Sequence, residues 1–248
     1  MRFSDSGIII NIRKYSESAL IVKVLSQDNG LYSGFIKTSL SSKKSQSLYQ
    51  NFNLVEFEWS SKDEDSLGFF KFELKKSYLS HIIASPIKLS ALNIILALIN
   101  ENIMEREPHP ELFDSLSQLL GDLKKDDHLF LKSYIKFEIG LLEILGYGLD
   151  LSSCAATGQT DDLHFVSPKS ARAISYNAGE KYQNKLLVLP KFLLDDNHKT
   201  DKNDLLNGIN LSGFFIDKHI VRTTPSKEKV TILNSRSQFI NFIIKANF

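Results

Sequence analysis

The hydrophobic period of this chain changes once, near residue 80, and that change constrains the fold more than any single motif. Upstream, "GIIINIRKY" (7–15) and "ALIVKVLS" (19–26) are rich in Ile and Val, "LYSGFIKT" (31–38) pairs back, and "LVEFEW" (54–59) and "LGFFKFELKK" (67–76) alternate apolar and polar residues. In the second segment Leu20, Val22 and Val24 share one face, as the two-residue repeat of a strand requires. "QDNG" (27–30) marks a tight hairpin turn, because Asn-Gly accepts positive φ at little cost. Downstream, apolar residues recur at three- and four-residue spacing. "SPIKLSALNIILALINENIM" opens with a capping Ser85 followed by Pro86, and "HPELFDSLSQLLGDLKK" repeats the device with Pro110. In "DDHLFLKSYIKFEIGLLEILGYG", Phe130, Tyr134, Phe137, Leu141 and Ile144 make a helical stripe that Gly146 or Gly148 should stop.

About five strands in roughly 75 residues is the size of a small Greek-key barrel such as the OB-fold. An SH3-like barrel satisfies the same pattern. The expected class is therefore α+β. An N-terminal five-stranded barrel (1–80) precedes a central helical domain (81–148), an irregular insertion (149–194) and a C-terminal helical segment (195–248). In that last segment, polar "DDNHKTDKNDLLN" (195–207) runs into a helix over 205–222, and a short final helix is expected over 237–248. There is no internal repeat.

Composition excludes several classes. A single cysteine cannot form an internal disulfide, which argues against a secreted disulfide scaffold. The apolar run in "MRFSDSGIIINIRKYSE" is too short for a signal peptide and meets Arg13 and Lys14 at once. The most apolar stretch, 89–104, falls short of a membrane span and is broken by Asn93 and Asn100. A cytosolic protein with no membrane partner is expected. The formal net charge is +1, so charge carries information only locally.

No motif in the sequence argues for an enzyme. G-x-S-x-G, Walker A, G-x-G-x-x-G and H-E-x-x-H are all missing. Cys154 is followed three residues later by Thr157, which nearly spells a metal knuckle, but no second cysteine exists and the six histidines are scattered. A tetrahedral zinc site wants four ligands. A structural thiol is the expected role, with no metal or other cofactor.

Local charge is more informative. No acidic residue occurs from Tyr32 to Val55, while Lys37, Lys43 and Lys44 lie in "IKTSLSSKKSQS". A Ser/Lys loop between barrel strands can follow a phosphate backbone, with ammonium groups on phosphates and hydroxyls donating beside them. Arg13 and Lys14 near a strand end, and Lys71 with Lys75 and Lys76 on the last strand, would extend that surface. A solvated loop explains the same lysines. Tyr32, Phe35, Phe69 and Phe70 are candidates for base stacking, although barrel core is the expected place for most of them. Lys218, Arg222, Lys227, Lys229, Arg236 and Lys245, against Asp217 and Glu228, make a second basic region over 208–248. Lys132 and Lys136 lie opposite the apolar stripe of their helix and would suit an acidic, hydrophobic-ended peptide.

Taken in order, these parts resemble the RecO family of bacterial recombination mediators. The resemblance runs from about residue 7 to the C-terminus. It rests on "GIIINIRKYSESALIVKVLSQDNG", "KFEIGLLEILGYGLDLSSCAATG", "LHFVSPKSARAIS" and "KLLVLPKFL". It implies an OB-fold barrel, a helical middle and a zinc-ribbon-like insertion. Many members carry a C-x-x-C knuckle after the Gly-Tyr-Gly helix end and a second cysteine pair downstream. Here Thr157 stands at the second position of the first pair, and the downstream pair falls near Ser175 and Ala178, so the ribbon is degenerate and metal binding is not carried over. The insertion should then hold by packing, through Phe165, Val166, Leu186, Leu187 and Leu189.

The resemblance further implies a non-enzymatic DNA repair and recombination mediator. Such a protein binds single- and double-stranded DNA, anneals complementary strands and works with RecR to load RecA onto strands coated by single-strand-binding protein, whose acidic C-terminal tail it docks. DNA contacts would fall to Arg13, Lys14, Lys37, Lys43, Lys44 and Lys71, and the tail to Lys132 and Lys136. The family loop after the third strand is often arginine-rich. Lysines here lack the bidentate fork, so weaker and salt-sensitive DNA binding is expected. A protein-only adaptor with a barrel that no longer holds DNA is the alternative.

Overall fold

The computed structural model describes residues 1–38, 43–63, 66–222 and 226–247, without the side chains of 43–45, 226–228 and 231. Two compact units divide the chain, Met1–Lys124 and Lys125–Phe248. This boundary falls inside the 81–148 segment, so its helices belong to both units. The chain breaks there for a local reason: a 3-10 turn at Asp122–Lys124 ends one helix, and Asp126 caps the next by accepting from the Leu129 amide at 2.8 Å.

The first unit opens with β1 (Arg2–Ser16), β2 (Ala19–Ser26) and β3 (Gly30–Lys37), then a short helix α1 (Lys43–Leu48), β4 (Leu54–Ser60) and β5 (Gly68–Lys76). The five strands form a closed barrel in the order β1-β2-β3-β5-β4, the expected OB-type architecture. The closure depends on the length of β1. Its polar start, residues 2–8, pairs with β4, and residues 7–16 pair with β2, with a register shift between Ile9 and Asn11. The sequence alone signals this strand only from residue 7, because "RFSDS" carries little apolar signal. β3 and β5 meet through only two pairs, Gly34↔Gly68 and Phe35↔Phe69. A Cβ on Gly68 would lie 2.2 Å from the Trp59 ring, so only glycine lets the strand pass over that side chain. Val22, Val24, Val55, Phe57, Trp59 and Phe70 form the centre of the barrel core.

The β2–β3 connection is a three-residue turn closed by Gly30, which adopts φ +87. Asp5 fixes it, with its Oδ2 accepting from the Ser26 hydroxyl, the Asp28 amide and the Asn29 side chain. The Ser/Lys segment read as a loop contains α1. Leu48 and the following Tyr49 pack against the barrel core, and that anchoring supports a turn of helix the polar sequence did not signal.

Helices α2 (Leu79–Ile83), α3 (Pro86–Asn102) and α4 (Pro110–Gly121) complete the unit. The Ser85 hydroxyl accepts from the Lys88 amide with Pro86 at the first helical position, as its sequence predicts. The segment after α3 returns to the barrel. The Arg106 amide donates to the Leu31 carbonyl, and Glu105 accepts from the Ser33 hydroxyl at 2.7 Å and pairs with Lys23 at 3.4 Å.

The second unit begins with α5 (Asp127–Ile144). It ends in a Schellman motif: Gly146 has φ +82, the Gly146 amide donates to the Glu143 carbonyl, and the Tyr147 amide donates to that of Leu142. The insertion folds as a small sheet, β7 (Ala173–Ser175), β6 (Leu163–Val166) and β8 (Leu187–Val188) in that order, with α6 (Tyr176–Gly179) between β7 and β8. Phe165, Val166 and Leu189 are buried in it, whereas Leu186 and Leu187, expected beside them, are only half-buried. Helix α7 (Lys202–Ile216) starts with a capping box made by Asp201 and Asp204 and runs into a π turn at Asp217–Val221.

The last helix, α8 (Ser226–Lys245), begins well before residue 237. Its inward stripe is Ile232, Arg236, Phe239 and Ile243. An arginine inside an apolar stripe hid the period. Glu138 of α5, fully buried, accepts from both the Arg236 guanidinium and, at 2.5 Å, the Tyr134 and Ser212 hydroxyls. Burial disfavours the Arg236 charge, but Glu138 more than compensates and raises its pKa. Among the described residues, no helix is long and apolar enough to cross a membrane.

Candidate nucleic-acid interface

Strand register places one row of residues around the outside of the barrel. Arg13 pairs with Ile21, Ile21 with Phe35, Phe35 with Phe69, and Phe69 with Ser60, which pairs with Arg2. Residues paired across strands share a face, so this row begins and ends on an arginine and carries two phenylalanines in its middle. Phe69 is 49 % exposed, and Phe35 beneath it is half-buried. Tyr15, at the irregular end of β1 and 64 % exposed, meets Phe35 edge-on with ring centroids 5.0 Å apart. Phe35 and Phe69 follow at 5.8 Å. Three aromatic rings thus form one exposed patch on an outer barrel face.

Cations surround it. Lys37 lies two residues along β3 from Phe35, on the same face, and its Nζ sits 5.8 Å from the Phe69 ring centroid. Lys71 lies two residues along β5 from Phe69 and is itself solvated, but Glu58 stands 3.6 Å away. Glu58 also takes a 2.6 Å bond from Arg2, and the Arg2 guanidinium, with Lys71, holds its carboxyl below the usual range. The charge of Lys71 is therefore partly spent. Arg13 and Lys14 are both exposed. They point to alternate faces, and only Arg13 belongs to the row with the aromatic residues; Lys14 is in register with buried Leu20. At the other end of this face Glu105 neutralises Lys23. Lys43 and Lys44 open α1, and their side chains lie outside the described residues.

The four aromatic candidates separate cleanly. Phe70 is buried, and Tyr32 packs edge-on against Phe3 and Trp59. Phe35 and Phe69 face outward. Tyr15 is not among the sequence candidates, because at the polar end of its strand it takes no part in the apolar pattern.

In the second unit, Lys132 and Lys136 converge on one acidic residue. Lys132 donates to the Asp196 carbonyl and lies 5.8 Å from the Phe192 ring centroid, and Lys136 pairs with the Asp196 carboxylate. Burial, with the neighbouring Lys132 charge, lowers the Lys136 pKa. Three of the six cations of the C-terminal basic stretch are also engaged: Arg236 is buried on Glu138, Lys218 donates to the Pro168 carbonyl at 2.7 Å, and Arg222 sits 3.9 Å from Asp217.

Cys154 is 1 % exposed. Its Sγ accepts from the Ser175 amide at 3.2 Å and the Ser175 hydroxyl at 3.4 Å. Burial pushes its pKa up, but hydrogen bonds from Ser175, Thr157 and the Ala156 amide prevail and draw it down to about 6. Three of the positions the resemblance marked for zinc ligands thus meet in space, but they offer one thiol and two hydroxyls, and the fourth position is an alanine. That set does not fit zinc, which needs four N, S or carboxylate donors. Among the described residues no group of three or more His, Cys, Asp or Glu could hold a metal ion.

Comparison with known proteins places both units. Residues 1–78 match the family model "Recombination protein O N terminal", and residues 84–228 match "Recombination protein O C terminal". The "DNA repair protein RecO" of Rickettsia canadensis (strain McKiel) is 39 % identical, over 98 % of this chain and 97 % of the relative. Those of Rickettsia akari (strain Hartford) and Rickettsia bellii (strain OSU 85-389) are each 38 % identical, over 98 % or more of both chains.

Proposed function

The chain belongs to the RecO family of DNA repair proteins, and from that premise we propose that it binds single- and double-stranded DNA through the outer barrel face. In this reading it anneals complementary strands and helps RecR load RecA onto strands coated by single-strand-binding protein, acting as a mediator without catalysis of its own, in the cytoplasm at the nucleoid. The observation that carries the reading is the cationic flank of the barrel face: Arg13 and Lys37 beside exposed aromatic rings. Lys71 extends the track as a secondary phosphate contact, Lys43 and Lys44 are assigned to it from the sequence, and Lys14 would reach phosphates from the adjoining face. Few groups on this face could read base edges, so sequence preference is slight.

The test is charge reversal. Arg13→Glu with Lys37→Glu, Lys43→Glu and Lys44→Glu should weaken oligonucleotide and duplex binding together. The slope of log affinity against log salt should flatten by about 0.7 per lost phosphate contact on single strands. Unchanged affinity and slope would remove the barrel face from DNA binding and leave the adaptor reading.

The acidic tail of single-strand-binding protein is assigned to Lys132 and Lys136. The Asp196 carboxylate occupies Lys136 and its main-chain carbonyl holds Lys132, so an acidic tail would have to displace both, and removing the carboxylate frees Lys136 alone. Asp196→Ala should tighten binding of a tail peptide and Lys136→Glu should weaken it. A peptide indifferent to both changes binds elsewhere.

A further inference from the structure

We infer that Tyr15, Phe35 and Phe69 form a stacking platform for unpaired bases, which makes this face prefer single strands over duplex. The inference rests on the barrel-face reading above and deepens it, because the charges and the rings predict different selectivities. Arginine and lysine attract any polyanion. Ring faces recognise a base only where that face is uncovered.

The geometry supports a single-strand ligand on three counts. First, the rings are continuous, Tyr15 to Phe35 at 5.0 Å and Phe35 to Phe69 at 5.8 Å, and the outer two are the most exposed. Second, those intervals exceed the roughly 3.4 Å rise between stacked bases along one strand of a duplex. A strand laid across the patch must open its stack to place bases on successive rings, which costs a free strand little and a duplex its pairing. Third, the surroundings suit a polyanion. Arg13 and Arg2 end the residue row, and Lys37 lies over Phe69. Glu58, already held by Arg2 and Lys71, and exposed Glu17 in the β1–β2 turn are the acidic groups nearest to it in register or sequence.

An apolar surface ringed by cations could otherwise receive a protein segment. The distinction lies in the bases themselves, so the experiment removes them. Binding of the full chain is measured to a labelled oligothymidylate, to an abasic oligonucleotide of equal length and to a duplex, with Phe69→Ala and Tyr15→Ala as variants. Both side chains are exposed enough for truncation to leave the barrel core intact. An oligonucleotide carrying 2-aminopurine reports stacking directly by fluorescence quenching.

The expected result is that wild type binds oligothymidylate more tightly than the abasic strand. Each variant should lose about five- to a hundredfold on oligothymidylate, with little change on the abasic strand or duplex, an unchanged salt slope and relief of 2-aminopurine quenching. The inference is overturned if wild type does not distinguish the abasic strand. It is also overturned if the variants bind oligothymidylate normally, as a protein-docking patch would allow. The two readings separate because the charge-reversal variant should lose all three substrates together. If wild type binds none of them, the barrel-face reading fails and this inference with it.

Discussion

Cys154 is where the sequence posed its sharpest question, and the structure answers it chemically. Four hydrogen bonds, two from Ser175 and one each from Thr157 and the Ala156 amide, converge on a buried sulfur. They favour the thiolate in the folded state, with a pKa of about 6 against an ordinary value of 9.0. A depressed acid stabilises the fold above its unfolded pKa and loses that contribution as pH falls through the folded one. Stability owed to Cys154 should therefore be full near pH 9 and largely gone near pH 6. The melting temperature of wild type minus that of Cys154→Ala should widen between those limits. A constant gap would mean the sulfur stays a neutral thiol. The meeting of Cys154, Thr157 and Ser175 was legible only through the family resemblance, since no spacing rule brings residues 154 and 175 together. Tyr15 was illegible for the opposite reason: an exposed aromatic leaves no periodic trace.

Among the elements, legibility followed amphipathicity. The alternating strands and the capped helices α3 and α5 stood out because one face is uniformly apolar and the caps are conventional. The start of β1, the short α1 and the first half of α8 did not. Each uses polar residues for a tertiary role: the first residues of β1 pair with β4, Leu48 and Tyr49 anchor a Ser/Lys turn, and Arg236 enters the core of its unit. α8 is accordingly held by an ion pair as well as by apolar contact. Truncating one partner of a buried pair strands the other charge, at a cost of about 3–5 kcal/mol. Glu138→Ala should lose that much in urea denaturation. Glu138→Leu combined with Arg236→Met should recover most of it, because both charges leave together. A double variant no more stable than Glu138→Ala would mean that the hydroxyl bonds of Tyr134 and Ser212, rather than the charges, hold the helix.

For the whole molecule, a formal charge of +1 gives no long-range pull toward DNA. Any affinity must come from local groups, and the barrel face offers few: Arg13 and Lys37 outright and Lys71 in part, with the phosphate contacts proposed for Lys43 and Lys44 beside them. With about four phosphate contacts the single-strand slope should be near 3, so raising salt from 50 to 200 mM should cost roughly sixtyfold. A slope twice as steep would require a cationic surface beyond this face. The α+β division and the barrel were legible from the change of period. The choice between barrel types came from the resemblance and from closure by β1, and the boundary between compact units lies where no composition shift announces it.

The bond between Glu138 and Arg236 joins residues 98 positions apart, near the two ends of the second unit. During synthesis the barrel unit has all its partners once residue 124 has left the ribosome. The nascent second unit, by contrast, carries an uncompensated carboxylate until residue 236 has been added. A chain halted before residue 236 would carry a finished barrel and a helical half still missing its keystone.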